Sequence, residues 1–220
     1  MKYQTVVFDL DGTLLDTLED LYLSVNRALE ANGLSRRSRD EVRLATGNGI
    51  ARLIRICVGE ACDQALYVKV FADFKTDYAA HSMDHTAPYA GVPQVIEALR
   101  DAGARVAVVS NKADFAAQTI INDTFPGVFD CVMGENEAAG IRKKPAPDMV
   151  WAALERMGVS AAAGDFVYVG DSEVDLATAA NLGCPCITCT WGFRDASWLV
   201  SQGAKTLVNT PEELLAALLG

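Results

Sequence analysis

Two aspartates stand two residues apart where the first apolar run of the chain ends, in Thr5-Val-Val-Phe-Asp9-Leu-Asp11-Gly-Thr13. Two more, Asp171 and Asp175, follow another apolar run, Phe166-Val-Tyr-Val-Gly170. Between them in sequence lie Ser110-Asn111-Lys112, at the end of Arg105-Val-Ala-Val-Val109, and Lys143-Lys144-Pro145, at the start of a helical pattern. Three or four carboxylates in one crevice repel one another and are costly to desolvate unless a cation joins them. An all-oxygen ligand set suits Mg²⁺, which keeps waters and also holds a substrate phosphate. The hydroxyl of Ser110, the amide of Asn111 and the ammonium of Lys144 are the donor types that phosphoryl oxygens need. Backbone N–H groups after Asp9 add an anion nest. Of two aspartates so spaced, one can attack phosphorus while the other reaches the far side of the reacting oxygen, which fits nucleophilic catalysis with acid–base help. Each piece alone has a plain structural use: Asp before Gly as a turn former, Ser110-Asn111 as a loop, Gly170-Asp171-Ser172 as a helix cap. Their order at successive strand ends is what points to chemistry.

The elements that must position these residues are legible in the hydrophobic pattern. Thr5–Phe8 is a short, β-branched run stopped by Asp9 and reads as a buried parallel strand. Leu18, Leu21, Val25, Ala28 and Leu29 then repeat at three and four, predicting a helix that ends near Asn32-Gly33. Helical patterns continue to about His81 with no comparable strand signal. From Tyr89 helices and strands alternate. The expected strands are RVAVVS, FDCVM, FVYVG and CITCT, with a weak one at Lys205–Val208, and a last helix starts at Pro211. That alternation predicts right-handed βαβ units and a parallel sheet covered on both faces. The expected fold class is therefore α/β, a Rossmann-like parallel sheet core, interrupted after its first strand by an inserted all-helical block. The expected division is 1–15 with 86–220 for the core and 16–85 for the insertion. In such a sheet ligands bind beyond the carboxyl ends of the strands, where the residues above converge.

Composition narrows the function classes. The chain has 220 residues, 50% of them hydrophobic and 22% charged, with mean hydropathy +0.14. This excludes a disordered chain and suffices for a sizeable core. A net charge of −10 argues against nucleic acid or an anionic membrane as the main partner. The insertion carries nine Lys+Arg against eleven Asp+Glu between Asp16 and Asp84, so most of the negative charge lies elsewhere. No run approaches the ~18 apolar residues of a membrane span, and MKYQTVVFDLDGT has no room for a signal peptide. A cytoplasmic protein is expected, and its six cysteines are expected to be reduced thiols. Cys184, Cys186 and Cys189 fall in a strand-like segment without the further ligands of a zinc site, so packing is the expected role. His81 and His85, four apart, fall in a turn-rich linker, and Arg36, Arg37, Arg39 and Arg43 read as a solvated helix face. There is no P-loop, no complete dinucleotide fingerprint and no G-x-S-x-G elbow.

At Asp9-Leu-Asp11-Gly12-Thr13-Leu14, Ser110-Asn111, Lys144-Pro145 and Gly170-Asp171…Asp175, the chain resembles the haloacid dehalogenase superfamily, over essentially its whole length. The resemblance implies a Rossmann-like core with a helical cap inserted after the first strand. It implies Asp9 as the nucleophile that forms an aspartyl-phosphate, and Asp11 as the group that protonates the leaving alcohol and then activates water. Ser110 and Lys144 would hold the phosphoryl group with Asn111 adjacent, and Thr13 belongs with these phosphate-binding positions. Asp9, the backbone carbonyl of Asp11 and Asp171 would coordinate Mg²⁺, supported by Asp175. Asp11 separates the chain from the dehalogenases that name the superfamily, which lack this second aspartate. Thr46-Gly47-Asn48-Gly49, the run KKPAPDM and Thr190-Trp191-Gly192-Phe193 resemble the phosphoglycolate phosphatase group. Gly47-Asn48-Gly49 is either a turn between helices or places Asn48 and a helix N-terminus against the leaving group, and Arg52 one turn on is a candidate partner for a carboxylate. The implied function is a Mg²⁺-dependent phosphatase acting on a small-molecule phosphate ester. The alternatives are a sugar phosphomutase, a pyrophosphatase or nucleotidase of the same superfamily, or a phospho-accepting signalling module. Oligomeric state is not readable from the sequence.

Overall fold

The computed structural model describes residues 1–136, 139–160 and 166–220. In chain order, β1 (Thr5–Phe8) and β2 (Leu15–Asp16) precede the helices α1 (Leu18–Ala31), α2 (Arg39–Ala45), α3 (Ile50–Val58) and α4 (Gln64–His81). Then come β3 (Ala87–Pro88), α5 (Val92–Asp101), β4 (Arg105–Ala113), α6 (Asp114–Thr124) and β5 (Cys131–Glu135). The rest are α7 (Asp148–Arg156), β6 (Phe166–Gly170), α8 (Glu173–Leu182), β7 (Cys186–Cys189), α9 (Ala196–Ser201), β8 (Leu207–Val208) and α10 (Pro211–Leu219). The chain divides into two compact units, Met1–Leu15 with Pro88–Gly220, and Asp16–Ala87.

The first unit is an α/β layer structure. Among the described residues its sheet runs β5-β4-β1-β6-β7-β8, all parallel. Its strands are apolar without a break because both faces are covered. Val6, Phe8, Val106, Val108, Val167 and Val169 enter a core on one face. Their alternates Val7, Ala107, Val109, Phe166 and Tyr168 enter a core on the other. Pairing of β1 stops at Phe8, opposite Val108 of β4 and Val169 of β6. Asp9 and Asp171 therefore leave the sheet at the same edge, beside the Ser110 stretch of β4. The chain proceeds from β1 to β4 and β5 on one side, then returns to β6 on the other, so this edge lies at a topological switch point.

Several elements differ from the sequence expectation, and the two-residue strands β2 and β3 were not expected at all. β4 runs past Ser110 to Ala113, with its register to β5 shifting between Val109 and Ala113. The shift is a bulge, which no propensity marks. β5 begins at Cys131 rather than Phe129, because Phe129 turns into the core against Phe8, ring centroids 6.5 Å apart. Helix α9 is absent from the expected elements: six residues are too few for a helical period to register.

The second unit is helical apart from the ends of β2 and β3, which pair with each other. α1 buries Leu18, Leu21, Val25, Ala28 and Leu29, the residues whose spacing predicted it. Asp20, 1% exposed on α1, ties down the return segment by accepting from the backbone N–H groups of His85 and Thr86 and the Thr86 hydroxyl, at 2.8–3.1 Å. His85 Nδ1 is 2.8 Å from Asp20, and His81 Nδ1 is 2.8 Å from Asp84, so each histidine has its own carboxylate. Arg36, Arg37, Arg39 and Arg43 pair with Glu30, Glu41, Glu19 and Asp40.

Burial alone would raise the pKa of Asp20, but the hydrogen bonds from His85 and Thr86 hold it below the ordinary carboxylate value. Its stabilisation is therefore complete above the unfolded pKa and is lost as pH falls through the lowered folded value. Asp20→Ala strands the buried Thr86 donors and is expected to cost about 2 kcal/mol, read as a lower urea midpoint at pH 7. The difference from wild type should shrink toward pH 3.

Candidate active site

The site is built at the carboxyl edge of β1, β4 and β6. Asp9 follows β1 directly and is held there by its own N–H, which donates to Val169 O at 2.9 Å. The chain then turns tightly: the N–H groups of Thr13, Leu14 and Leu15 all donate to Leu10 O at 3.0–3.3 Å, and Gly12 takes φ +83°. The backbone N–H groups of Leu10 and Asp11 have no acceptor among the described residues, which leaves them for an anion. Only glycine fits at position 12, because a Cβ there would enter the Asp171 carboxylate.

Lys144 is the counterion of the site. It is 2% exposed, and its Nζ donates to Asp175 Oδ1 at 2.8 Å and to Tyr168 Oη at 3.0 Å. Nζ also lies 2.8 Å from Asp9 Oδ1, an ion-pair distance whose angles fall outside hydrogen-bond geometry, so this buried oxygen lacks a hydrogen-bond donor. Tyr168 in turn donates to Val109 O at 3.1 Å. Burial opposes the Lys144 charge, but Asp175 and Asp9 outweigh it and hold the ammonium well above its ordinary pKa. Asn111 bonds the Lys144 backbone at both ends of its amide, accepting from Lys144 N at 2.9 Å and donating to Lys144 O at 3.0 Å. Asn111, expected beside the phosphoryl group, thus also clamps the lysine loop. Ser110, 2% exposed, accepts from Lys112 N at 3.2 Å.

Asp171 and Asp175 occupy different environments although only one helical turn separates them. Asp175 accepts at Oδ2 from Asp171 N, Ser172 N and Ser172 Oγ at 2.6–3.2 Å, while Oδ1 takes Lys144. Both of its oxygens are engaged, capping α8 and anchoring the lysine. Asp171 accepts from Thr13 Oγ1 at 3.3 Å and from Phe193 N at 2.6 Å. Asp9, Asp171 and Asp175 each offer an oxygen within 4.8 Å of the others, all buried. Burial raises Asp9 to about 7, Lys144 opposing and Asp175 and Asp11 adding to the rise. Burial also pushes Asp171 well above the carboxylate range, with Asp175 and Asp9 adding to it. Buried oxygen donors this crowded, with an unused lone pair on Asp9, fit a hard divalent cation.

Asp11 is more open, and its Oδ1 accepts from Lys112 Nζ at 2.9 Å. The remaining candidates lie in the second unit. Asn48 sits in the turn ahead of α3, whose cap is Gly49, and Arg52 on α3 pairs with Glu60 at 2.5 Å. Two residues that sequence reasoning did not assign to the site also shape it. Gly192 abuts Gly12 O and the Asp171 side chain with no room for a Cβ, and Trp191 Nε1 donates to Thr13 O at 3.2 Å. The segment Thr190–Phe193 stood out in sequence, but its contact with Asp171 is a tertiary fact. The cysteines are all free. Burial lifts Cys184 to about 11 and Cys186 to about 12, with Cys189 well above the ordinary thiol value, so these thiols stay protonated.

The profile of haloacid dehalogenase-like hydrolases matches residues 6–189. The chain belongs to this family. A phosphoglycolate phosphatase of Aquifex aeolicus is 30% identical over 96% of this chain and 95% of its own length. One of Xylella fastidiosa is 32% identical over 96% and 91%. A crystal structure from Lactobacillus delbrueckii, provisionally named a phosphoglycolate phosphatase, superposes with TM-score 0.94 at 36% identity, covering the whole of both chains. This chain is thus a phosphatase of the haloacid dehalogenase-like hydrolases, with the fold of that family. No described helix is long and apolar enough to cross a membrane.

In this phosphatase Gly192→Ala forces a methyl group into the Asp171 carboxylate. A cost of about 1–3 kcal/mol is expected, read by thermal melting, with weaker divalent-cation binding by calorimetry. Retained stability together with unchanged cation affinity would show that the loop does not set Asp171.

Proposed function

We propose that this phosphatase hydrolyses a small phosphate ester through an aspartyl-phosphate on Asp9, with 2-phosphoglycolate the leading substrate. The observation that carries the reading is the meeting of Asp9, Lys144 and Asp171 at one strand edge, with Asp11 two residues beyond Asp9. Asp9 Oδ attacks phosphorus and the ester oxygen departs as the alcohol, taking its proton from Asp11. Water then attacks the acyl phosphate, with Asp11 receiving the proton, and inorganic phosphate leaves. The unbonded N–H groups of Leu10 and Asp11, the Ser110 hydroxyl and the Lys144 ammonium receive the phosphoryl oxygens. Thr13 and Phe193 N hold Asp171 in place, while Asn111 and Asp175 fix Lys144. Asp9, the Asp11 carbonyl and Asp171 would hold Mg²⁺, with Asp175 in support. The ion supplies positive charge against the carboxylates and the phosphoryl oxygens.

The choice of 2-phosphoglycolate rests on the names of the relatives and on the resemblance at Thr190–Phe193. Assigning residues 16–85 as a cap, and Asn48 and Arg52 to substrate binding, belongs to the same proposal. It is checked by Arg52→Ala, expected to raise KM with little change in kcat.

Phosphate release from a panel of 2-phosphoglycolate, pyrophosphate, sugar phosphates and nucleoside monophosphates, with Mg²⁺ and with EDTA, tests the whole reading. One ester ~100-fold above the others in kcat/KM, and silent in EDTA, is the expected result. Isomerisation of a sugar phosphate without phosphate release would favour a mutase. Asp9→Asn is expected to abolish turnover while the protein stays folded, and residual activity above a few per cent would remove Asp9 as nucleophile.

Mg²⁺ should raise the Tm of metal-free protein in proportion to RT ln(1 + [Mg²⁺]/Kd). Because burial pushes Asp9 up to about 7 and the cation competes with its proton, the rise should grow from pH 5.5 to 8. Asp171→Asn should largely remove it. An equal Mg²⁺ response in wild type and Asp171→Asn counts against this ligand.

A further inference from the structure

The site contains a second buried lysine that the reaction above does not use. Lys112 has a side chain 4% exposed, and its Nζ lies 2.9 Å from Asp11 Oδ1. Its place is built rather than incidental. The bulge that shifts the β4–β5 register between Val109 and Ala113 carries Ser110, Asn111 and Lys112 together. Gly134 on β5 makes room for it, since a Cβ there would strike Lys112 O and the Asp114 backbone. Ser110 Oγ accepts from Lys112 N, fixing the lysine backbone relative to the Ser110 hydroxyl.

In the reaction proposed above, the two lysines would serve opposite ends of the reacting bond. Lys144 sits against Asp9, at the attacking end. Lys112 sits against Asp11, and whatever Asp11 touches when it protonates the ester oxygen is the leaving group. We propose that Lys112 is a specificity residue that receives an anionic carboxylate on the leaving alcohol, so that esters of small hydroxy acids are preferred over esters of neutral alcohols of the same size. The inference rests on the role proposed above for Asp11. In 2-phosphoglycolate the carboxylate is attached to the carbon that bears the ester oxygen, which brings it within reach of a cation already in contact with Asp11. An anionic leaving group entering a crevice that holds Asp9, Asp11, Asp171 and Asp175, in a chain of net charge −10, is repelled unless such a cation meets it. An ammonium already paired with one carboxylate, and having three protons, can share itself with a second.

The test compares 2-phosphoglycolate with 2-hydroxyethyl phosphate, which replaces the carboxylate by a neutral hydroxymethyl group. Wild type, Lys112→Met and Lys112→Arg are assayed for phosphate release with Mg²⁺. Wild type is expected to favour 2-phosphoglycolate at least ~10-fold in kcat/KM, as for a site built around a charged substrate group. Lys112→Met disturbs Asp11 as well, so both esters should slow. The preference itself should fall ~10-fold, mainly through KM for 2-phosphoglycolate, and Lys112→Arg should restore much of it. Equal losses for the two esters in Lys112→Met would overturn the proposal, because the lysine would then act only through Asp11. Equal turnover of the two esters by wild type would overturn it without recourse to any variant, should Lys112→Met fail to fold. Release from neither ester by wild type would instead sink the 2-phosphoglycolate reading on which the proposal stands.

Discussion

One buried ammonium organises this molecule. Lys144 stands 2.8 Å from both Asp9 and Asp175 and bonds Tyr168, at a depth where an isolated carboxylate or ammonium would be severely penalised. Three aspartates within 4.8 Å of one another exceed what one lysine can neutralise. The surplus is visible in the raised pKa values of Asp9 and Asp171, both driven first by burial. That imbalance links structure to function. The same surplus is what a divalent cation and a phosphoryl group, in the proposed reaction, would relieve.

The scaffold holds this arrangement by removing side chains as much as by placing them. Gly12 and Gly192 leave no room for a Cβ beside Asp171, and Gly170 leaves none beside Asp175. Backbone approaches this close let N–H groups reach the carboxylates: Phe193 N on Asp171, and Asp171 N with Ser172 N on Asp175. The division of labour between the two aspartates follows. Asp175 has both oxygens engaged and is structural in its contacts, while Asp171 is held by fewer donors. Asn111 makes a similar point, because its residue type suits phosphate while its geometry clamps the Lys144 backbone.

Much of this was legible in the sequence for a physical reason. A strand buried on both faces must be continuously apolar, so Thr5–Phe8 and Phe166–Gly170 announced themselves, and the first polar residues beyond them had to lie at the sheet edge. The 3–4 spacing of Leu18, Leu21, Val25 and Leu29 likewise fixed the inner face of α1. Short or irregular features escaped. The six-residue α9 spans less than two helical turns, too short for its period to register, and the register shift around Ser110–Lys112 arises from β4 meeting β5, not from any residue preference.

By itself, then, the chain determined which residues end its buried strands and that their carboxylates and donors meet at one edge, because alternation and apolar runs are local properties. Which oxygen meets which donor was decided only in three dimensions. Pairs such as Lys144 with Asp175, Asp11 with Lys112 and Asp171 with Phe193 lie 22 to 101 residues apart in the chain. They come together only through strand register, a bulge and glycines without a Cβ. Residue type states what a side chain can bond, and packing selects the one partner that it does.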